Sequence, residues 1–213
     1  MISTKYGDLL SEVIPELEGA PEPTVLLDIR NTVIDFCNGS RVWRVWLDPI
    51  DLVAGENTYD IQTTAGTDIV ELMSVKLRRL DRDLVPASED QLDRWESKWR
   101  ERRRHPEFYT QRTPDTVTLA CVPPDNHPGD MLLSVALQPD RTSKAFPGWI
   151  YTKYWDGILS GVKARMMAKS GMPWSNPKLA MYYKARYDAE LAKARTDGAR
   201  SLVRSRTVSR SNH

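Results

Sequence analysis

The 213-residue chain reads as an α+β protein: a helical bundle built from the N- and C-terminal helices, with an inserted β-rich domain and an extended C-terminal arm. Three observations predict this. Apolar residues recur at helical spacing near both ends, the pattern switches to alternation through the middle, and beyond Gly198 periodicity gives way to an arginine-rich tail. The expected divisions are residues 1–41 with 140–198 for the bundle, 42–139 for the insert with one short helix, and 199–213 for the arm.

Taken in order, Tyr6, Leu9, Leu10 and Val13 stand at helical spacing and predict a first helix that stops near Pro15. After a turn rich in Gly and Pro, Leu26, Ile29, Val33, Phe36 and Cys37 share one face of a second helix, with Gly39 as its stop. The sequence then alternates β-branched and aromatic residues with polar ones from Arg41 to Ile61, around Ala54-Gly55-Glu56-Asn57, which reads as a hairpin. Asp68–Leu77 is a third strand, and the stretch from Arg78 to Asp83 is the turn that returns into Leu84 and Val85. Ser88 and Gln91 fit a capping box for a short helix carrying Leu92, Trp95 and Trp99 on one face. Further strands follow around Phe108, Val117 and Leu133, separated by Pro114-Asp115 and by the turn from Pro123 to Asp130.

The C-terminal part is organised by a pair of helices between Pro147 and Asp197. In the first, Tyr151, Trp155, Ile158, Val162 and Met166 make an apolar stripe, and Gly157, Gly161, Ala164 and Ala168 make a second stripe of small residues beside it. A mid-helix glycine costs about 1 kcal/mol relative to alanine, so two of them imply a helix packed closely against them. Gly171 and Pro173 end this helix. Asn176 is the N-cap and Pro177 the first residue of the next, whose stripe is Ala180, Tyr183, Tyr187, Leu191 and Ala194. Lys184/Asp188 and Arg186/Glu190 are expected as ion pairs on its solvated side. The arm after Asp197-Gly198 carries Arg200, Arg204, Arg206 and Arg210 without an acid, and is expected to order only on a partner.

Composition points away from catalysis. There is no phosphate loop, no paired metal-binding histidines and no nucleophile elbow, and His105, His127 and His213 fall in a basic run, a turn and the terminus. Asp48, Asp51 and Asp60 are better read as acids of strand ends and turns than as cation ligands. Cys37 and Cys121 are expected as buried thiols in a reducing compartment. No catalytic residue, metal or cofactor is expected, and no apolar run long enough to cross a bilayer, nor a signal peptide, is seen. The net charge of +1 hides an asymmetry: residues 1–90 hold 8 Lys/Arg against 17 Asp/Glu (−9), and residues 91–213 hold 22 against 12 (+10). Either the charges intermix within one copy or they attract successive copies or a partner.

One stretch suggests nucleic acid. Residues 89–104 interleave Trp95 and Trp99 with Arg94, Lys98, Arg100, Arg102, Arg103 and Arg104, the residue types that stack on bases and bind phosphates. The competing reading is that the tryptophans anchor the core and the arginines complement the helix C-terminus or contact other subunits. A soluble nucleic-acid-binding accessory protein, using this helix and the basic tail, is therefore the alternative to a structural role.

Across most of its length the chain resembles the head-to-tail (portal-to-tail) adaptors of short-tailed bacteriophages. The resemblance is carried by Leu9–Pro23, then Asp35–Ile61, then the β-rich middle, then Phe146–Arg195 with the basic tail. It implies a virion protein forming a dodecameric ring around a DNA channel, with the portal above and the tail nozzle below. It also implies that the segment from Ala199 to His213 reaches along the portal, which would make Arg200, Leu202, Val203, Arg204, Arg206 and Arg210 the portal-binding residues. The basic run Arg100–Arg104 departs from that pattern.

Overall fold

The computed structural model describes residues 3–200. They fall into two units: one takes the chain up to Trp43 and again from Gln138, and the other is Arg44–Leu137. N-terminal helices and the C-terminal pair thus pack together, and the β-rich segment is an insert between them.

In the helical unit, β1 (Ser3–Lys5) pairs antiparallel with β11 (Ala145–Pro147), Ser3 lying opposite Pro147. The single helix expected near the start is instead three short pieces: a 3-10 turn Tyr6–Leu9, α1 (Leu10–Val13) and a second 3-10 turn Ile14–Glu16. Pro15 has no N–H to give and its ring crowds the preceding turn, so the chain tightens instead of continuing. Tyr6, Leu9, Val13 and Leu17 are nevertheless all buried.

Helix α2 (Glu22–Ser40) buries Val25, Ile29, Val33, Phe36 and Cys37. It runs past the expected stop at Gly39, which stays helical beneath the Leu191 side chain. The left-handed residue that ends it is Arg41, at φ 51, whose N–H bonds the Cys37 carbonyl.

Helix α4 (Gly148–Met167) has a non-helical residue at Tyr154, with φ −124 and ψ 21. The break changes the phase of the helix. Ile150, Tyr154, Ile158, Val162 and Met166 form the buried stripe, and Trp155, expected on that stripe, is 48% exposed. Helix α5 (Pro177–Ala199) starts as anticipated: the Asn176 side chain accepts from the Leu179 N–H at 3.2 Å, and Pro177 occupies the first turn. Ala180, Tyr187 and Ala194 are its buried residues, together with Gly198 in the last turn. The Phe36 ring lies 5.3 Å from that of Tyr154 and 6.2 Å from that of Tyr187, so one aromatic trio joins α2, α4 and α5. Lys184 pairs with Asp188, but Arg186 reaches across to Asp156 of α4 rather than along its own helix to Glu190.

Tyrosines tie this unit to an alkaline limit. Tyr151 donates to Glu12 and Tyr183 to Glu16, and Tyr187 is buried. Burial and the Glu12 partner push Tyr151 up to about 12, the Glu16 partner and burial do the same for Tyr183, and burial pushes Tyr187 up to about 12. A tyrosine whose folded pKa lies above its unfolded value contributes stability that is whole below pH 10 and is lost as pH rises through the folded value. The helical circular-dichroism signal is therefore expected to hold to pH 10 and to collapse between 10 and 12. Signal retained unchanged at pH 12 would contradict this coupling.

The inserted unit contains two sheets. The first has the order β2 (Arg44–Trp46), β10 (His127–Pro139), β5 (Thr67–Leu77), β6 (Arg82–Asp83), with β3 (Ile50–Leu52) also pairing with β10. The second has the order β4 (Thr58–Asp60), β9 (Thr116–Leu119), β8 (Phe108–Thr110), β7 (Val85–Pro86). The hairpin expected between Arg41 and Ile61 does not form: β3 joins the first sheet and β4 the second. Alternation showed that these residues were extended, and it carries no information on which strand each would pair with. The chain does turn back antiparallel on β5, but the returning strand β6 falls inside the expected turn; Leu84 still bonds Val75, whereas Val85, expected on the same return, passes to β7 of the second sheet. Strands β7 and β8 pair in parallel, and the crossover between them holds α3 (Glu89–Trp95).

Candidate functional site

Two places have a claim to function: the Trp/Arg segment of the inserted unit, and the helical pair with the tail that follows it.

In the Trp/Arg segment, Ser88 caps α3 as expected. Its hydroxyl accepts from the Gln91 N–H and the Gln91 side chain accepts from its own N–H. The helix is shorter than the pattern suggested and ends at Trp95; Trp99 lies in the turn beyond. The two tryptophans therefore do not share a face. Trp99 is buried with Leu92, Ala87 and Ala120, and its indole N–H donates to Asp93 at 2.8 Å. Trp95 is 60% exposed, its ring 5.2 Å from that of Phe108.

The arginines of this run are matched locally by carboxylates. Arg100 bonds Asp93 at 2.6 Å and Glu89 at 3.4 Å, and its guanidinium stacks 4.2 Å from the Trp99 ring. Arg102 and Arg104 both meet Glu96, and Arg112 reaches Glu89. Arg103 is exposed and joins Val122 through a backbone bridge. Arg100 and the Trp99 indole hold the Asp93 carboxyl below the usual carboxylate range. A phosphate approaching Arg100, Arg102 or Arg104 has to displace a carboxylate already in place, which weakens the case for this run as a nucleic-acid surface.

Beside it lies a cleft of about 350 Å³, lined among others by Trp95, Glu96, Arg104, Phe108 and Cys121. Cys121 is buried as expected, and two features of it escaped the sequence. It holds φ 122, a conformation that favours glycine, and its sulfur accepts from the Arg104 Nε at 3.1 Å. His105 stands with Nδ1 2.9 Å from an Arg79 guanidinium nitrogen, and His127 opens β10 with Nε2 buried and without a hydrogen-bond partner. Asp51 accepts from the Gly129 N–H. Among the described residues no group of three or more His, Cys, Asp or Glu is arranged to hold a metal, and no helix is long and apolar enough to cross a membrane.

In the helical pair, Gly157 and Gly161 face α5. A Cβ added at Gly157 would lie 2.6 Å from the Glu190 Cβ. One at Gly161 would lie 2.5 Å from Tyr187 Cδ2 and 2.6 Å from Thr32 Cγ2. Ala164 is buried on the same side, whereas Ala168 is exposed, because the helix ends at Met167 and the stripe ends with it. At the other end of α5, a Cβ on Gly198 would stand 3.0 Å from the Ser40 carbonyl oxygen, and Arg195 donates to the Gly39 carbonyl at 3.0 Å. The last turn of α5 is thus held against the C-terminus of α2, and Asp197 ties it further to Tyr154 and Lys153. Arg200 follows, exposed. Leu202, Val203, Arg204, Arg206 and Arg210 lie outside the described residues, as does His213.

The sequence model of the SU10 adaptor protein family matches residues 4–210. The chain belongs to the SU10 adaptor protein family. It is a phage head-to-tail adaptor, a structural protein, and the match takes in the helical unit, the insert and most of the basic tail. No curated protein matches the chain. As an adaptor it has virion proteins for partners, consistent with a virion location.

Proposed function

We propose that this adaptor forms a dodecameric ring between the portal and the tail nozzle, around the channel through which the genome passes, and that it catalyses no reaction. The observation that carries this reading is the family match itself, which runs through residue 210 and so includes the arginines of the tail. Two physical features support it. In the helical unit α4 packs closely on α5 at Gly157 and Gly161, and the last turn of α5, from which the tail departs, is held by Gly198, Arg195 and Asp197. The tail residues Arg200, Leu202, Val203, Arg204, Arg206 and Arg210 then attach to the portal, its four arginines meeting acidic groups there.

The test uses portal rings of the same phage, free of DNA. Full-length protein is expected to bind and to appear as an added ring by electron microscopy, with affinity falling as salt rises. Removing residues 201–213 leaves α5 whole, so the melting curve should be unchanged while portal affinity drops at least tenfold. If the shortened chain binds DNA-free portals as tightly as the full one, the docking arm is refuted, and arginines facing packaged DNA become the better account of the tail.

A further inference from the structure

In the inserted unit, the stretch from Glu89 to Arg104 has two halves of opposite charge. Residues 89–96 hold Glu89, Asp90, Asp93 and Glu96 against Arg94 (−3), and residues 97–104 hold Lys98, Arg100, Arg102, Arg103 and Arg104 against Glu101 (+4). The acidic half is α3 with Glu96, the residue that ends it; the basic half is the irregular segment that follows. The chain folds the second half back on the first. Arg100 meets Asp93 at 2.6 Å and Glu89 at 3.4 Å, Arg104 meets one oxygen of Glu96 at 3.2 Å, and Arg102 meets the other.

These pairs lie in the open: the Arg100, Arg102 and Arg104 side chains are 46%, 56% and 40% accessible. Exposed ion pairs hold a fold together only weakly. The segment is anchored by other means, through Trp99, buried with Leu92, Ala87 and Ala120, and through the backbone bonds that join Val122 to Arg102 and Arg104. What the carboxylates do is occupy guanidinium donors. Glu89 and Asp93 stand at i and i+4, and Glu96 follows three residues later, so the three acids form a row about 10 Å long. Lys98 and Arg103 of the same segment are exposed, and among the described residues neither meets a carboxylate. The exposed Trp95 ring lies beside them, on the cleft that Arg102 and Arg104 also line.

We infer that α3 is an autoinhibitory element, whose carboxylates stand in for phosphates and mask a surface for single-stranded nucleic acid made by Arg100, Arg102, Arg103, Arg104 and the Trp95 ring. Masked, the segment offers a strand only Lys98 and Arg103. Unmasked, it adds three guanidinium groups, whose forked donors match phosphate oxygens, next to an aromatic face on which a base can stack. The single strand is the better fit because a ring beside the phosphate contacts can stack only on a base that is not already paired. Phosphates must compete with carboxylates that are part of the same chain, so the wild type binds nucleic acid weakly. The inference is independent of the ring reading above.

The experiment measures binding of single-stranded DNA of about 20 nucleotides to the full chain and to the triple variant Glu89→Gln, Asp93→Asn, Glu96→Gln. The amides keep the shape of the acids and, at Asp93, an acceptor for the Trp99 indole, so the melting curve should be unchanged. Affinity is expected to rise at least tenfold, and the slope of log K against log salt to steepen by about 2, from three phosphate contacts at about 0.7 each. Removing three acids anywhere attracts DNA, so a control carries Asp48→Asn, Asp60→Asn and Asp125→Asn, at exposed acids of the same unit, and should gain less than twofold. If the triple variant binds no better than the wild type, or the control gains as much, the masking is overturned. Should the triple variant melt early, Glu89→Gln alone decides: it frees Arg112 and one contact of Arg100, a gain of about threefold is expected, and no gain overturns the masking. Trp95→Ala in the unmasked protein should lose at least threefold in affinity. If it loses nothing and duplex DNA binds as tightly as the single strand, the choice of a single-stranded partner is overturned in favour of phosphate contacts alone.

Discussion

Gly161→Leu is expected to destabilise the helical unit by at least about 3 kcal/mol, the upper end of the range for overpacking. This should lower its melting temperature by roughly 10 °C. The reason is geometric. Even a methyl group at this position would lie 2.5 Å from Tyr187 and 2.6 Å from Thr32, so α4 would clash with α5 and α2 together. Neither neighbour can swing aside cheaply. Tyr187 is packed against Phe36, and Thr32 is wholly buried with its hydroxyl donating to the Asp28 carbonyl at 2.7 Å. Gly7 supplies the control: a Cβ there meets nothing within 4 Å, and Gly7→Ala should shift stability by less than about 0.5 kcal/mol. Thermal melts of the three proteins decide the matter. A Gly161→Leu protein that melts with the wild type would show that α4 can move off α5 freely.

The sequence could reveal Gly157 and Gly161 because a glycine inside a helix is conspicuous without knowledge of its neighbours. The same holds for the Asn176-Pro177 helix start and for the apolar stripes of α2 and α5, which are properties of one element with a fixed period. What it could not show were pairings. Nothing local says that Arg186 will choose Asp156 over Glu190, or that β3 and β4 will part into different sheets. Breaks of phase were equally hidden. The deviation at Tyr154 moves Trp155 out of the stripe, and the early end of α3 separates Trp95 from Trp99. That second break matters for function, since the image of two tryptophans on one face of a basic helix depended on the helix continuing. Acidic partners for the arginines were present all along in Glu89, Asp93 and Glu96, the last two at unremarkable distances along the chain. The departure of Cys121 to φ 122 leaves no mark in the sequence, because residues around it read as an ordinary strand.

Excision of the insert should leave a folded helical protein. The chain enters the β-rich unit and leaves it at neighbouring points: Arg44 lies opposite Ala136, Val45 opposite Val135 and Trp46 opposite Ser134. Residues facing each other across an antiparallel ladder are about 5 Å apart, so a short Gly/Ser turn can join Trp43 directly to Gln138. The apolar cluster of the helical unit, from Tyr6 to Ala194, draws no member from Arg44–Leu137, so its core survives the cut. The shortened chain is expected to keep its helical circular-dichroism signal and to melt cooperatively. An unfolded product would mean that the helices and the insert are a single folding unit, and the two-domain reading would be withdrawn. The same protein also tests where copies meet: a folded, shortened chain that still assembles on portal rings would place the subunit contact in the helical unit, and a folded chain that no longer assembles would place it in the β-rich insert.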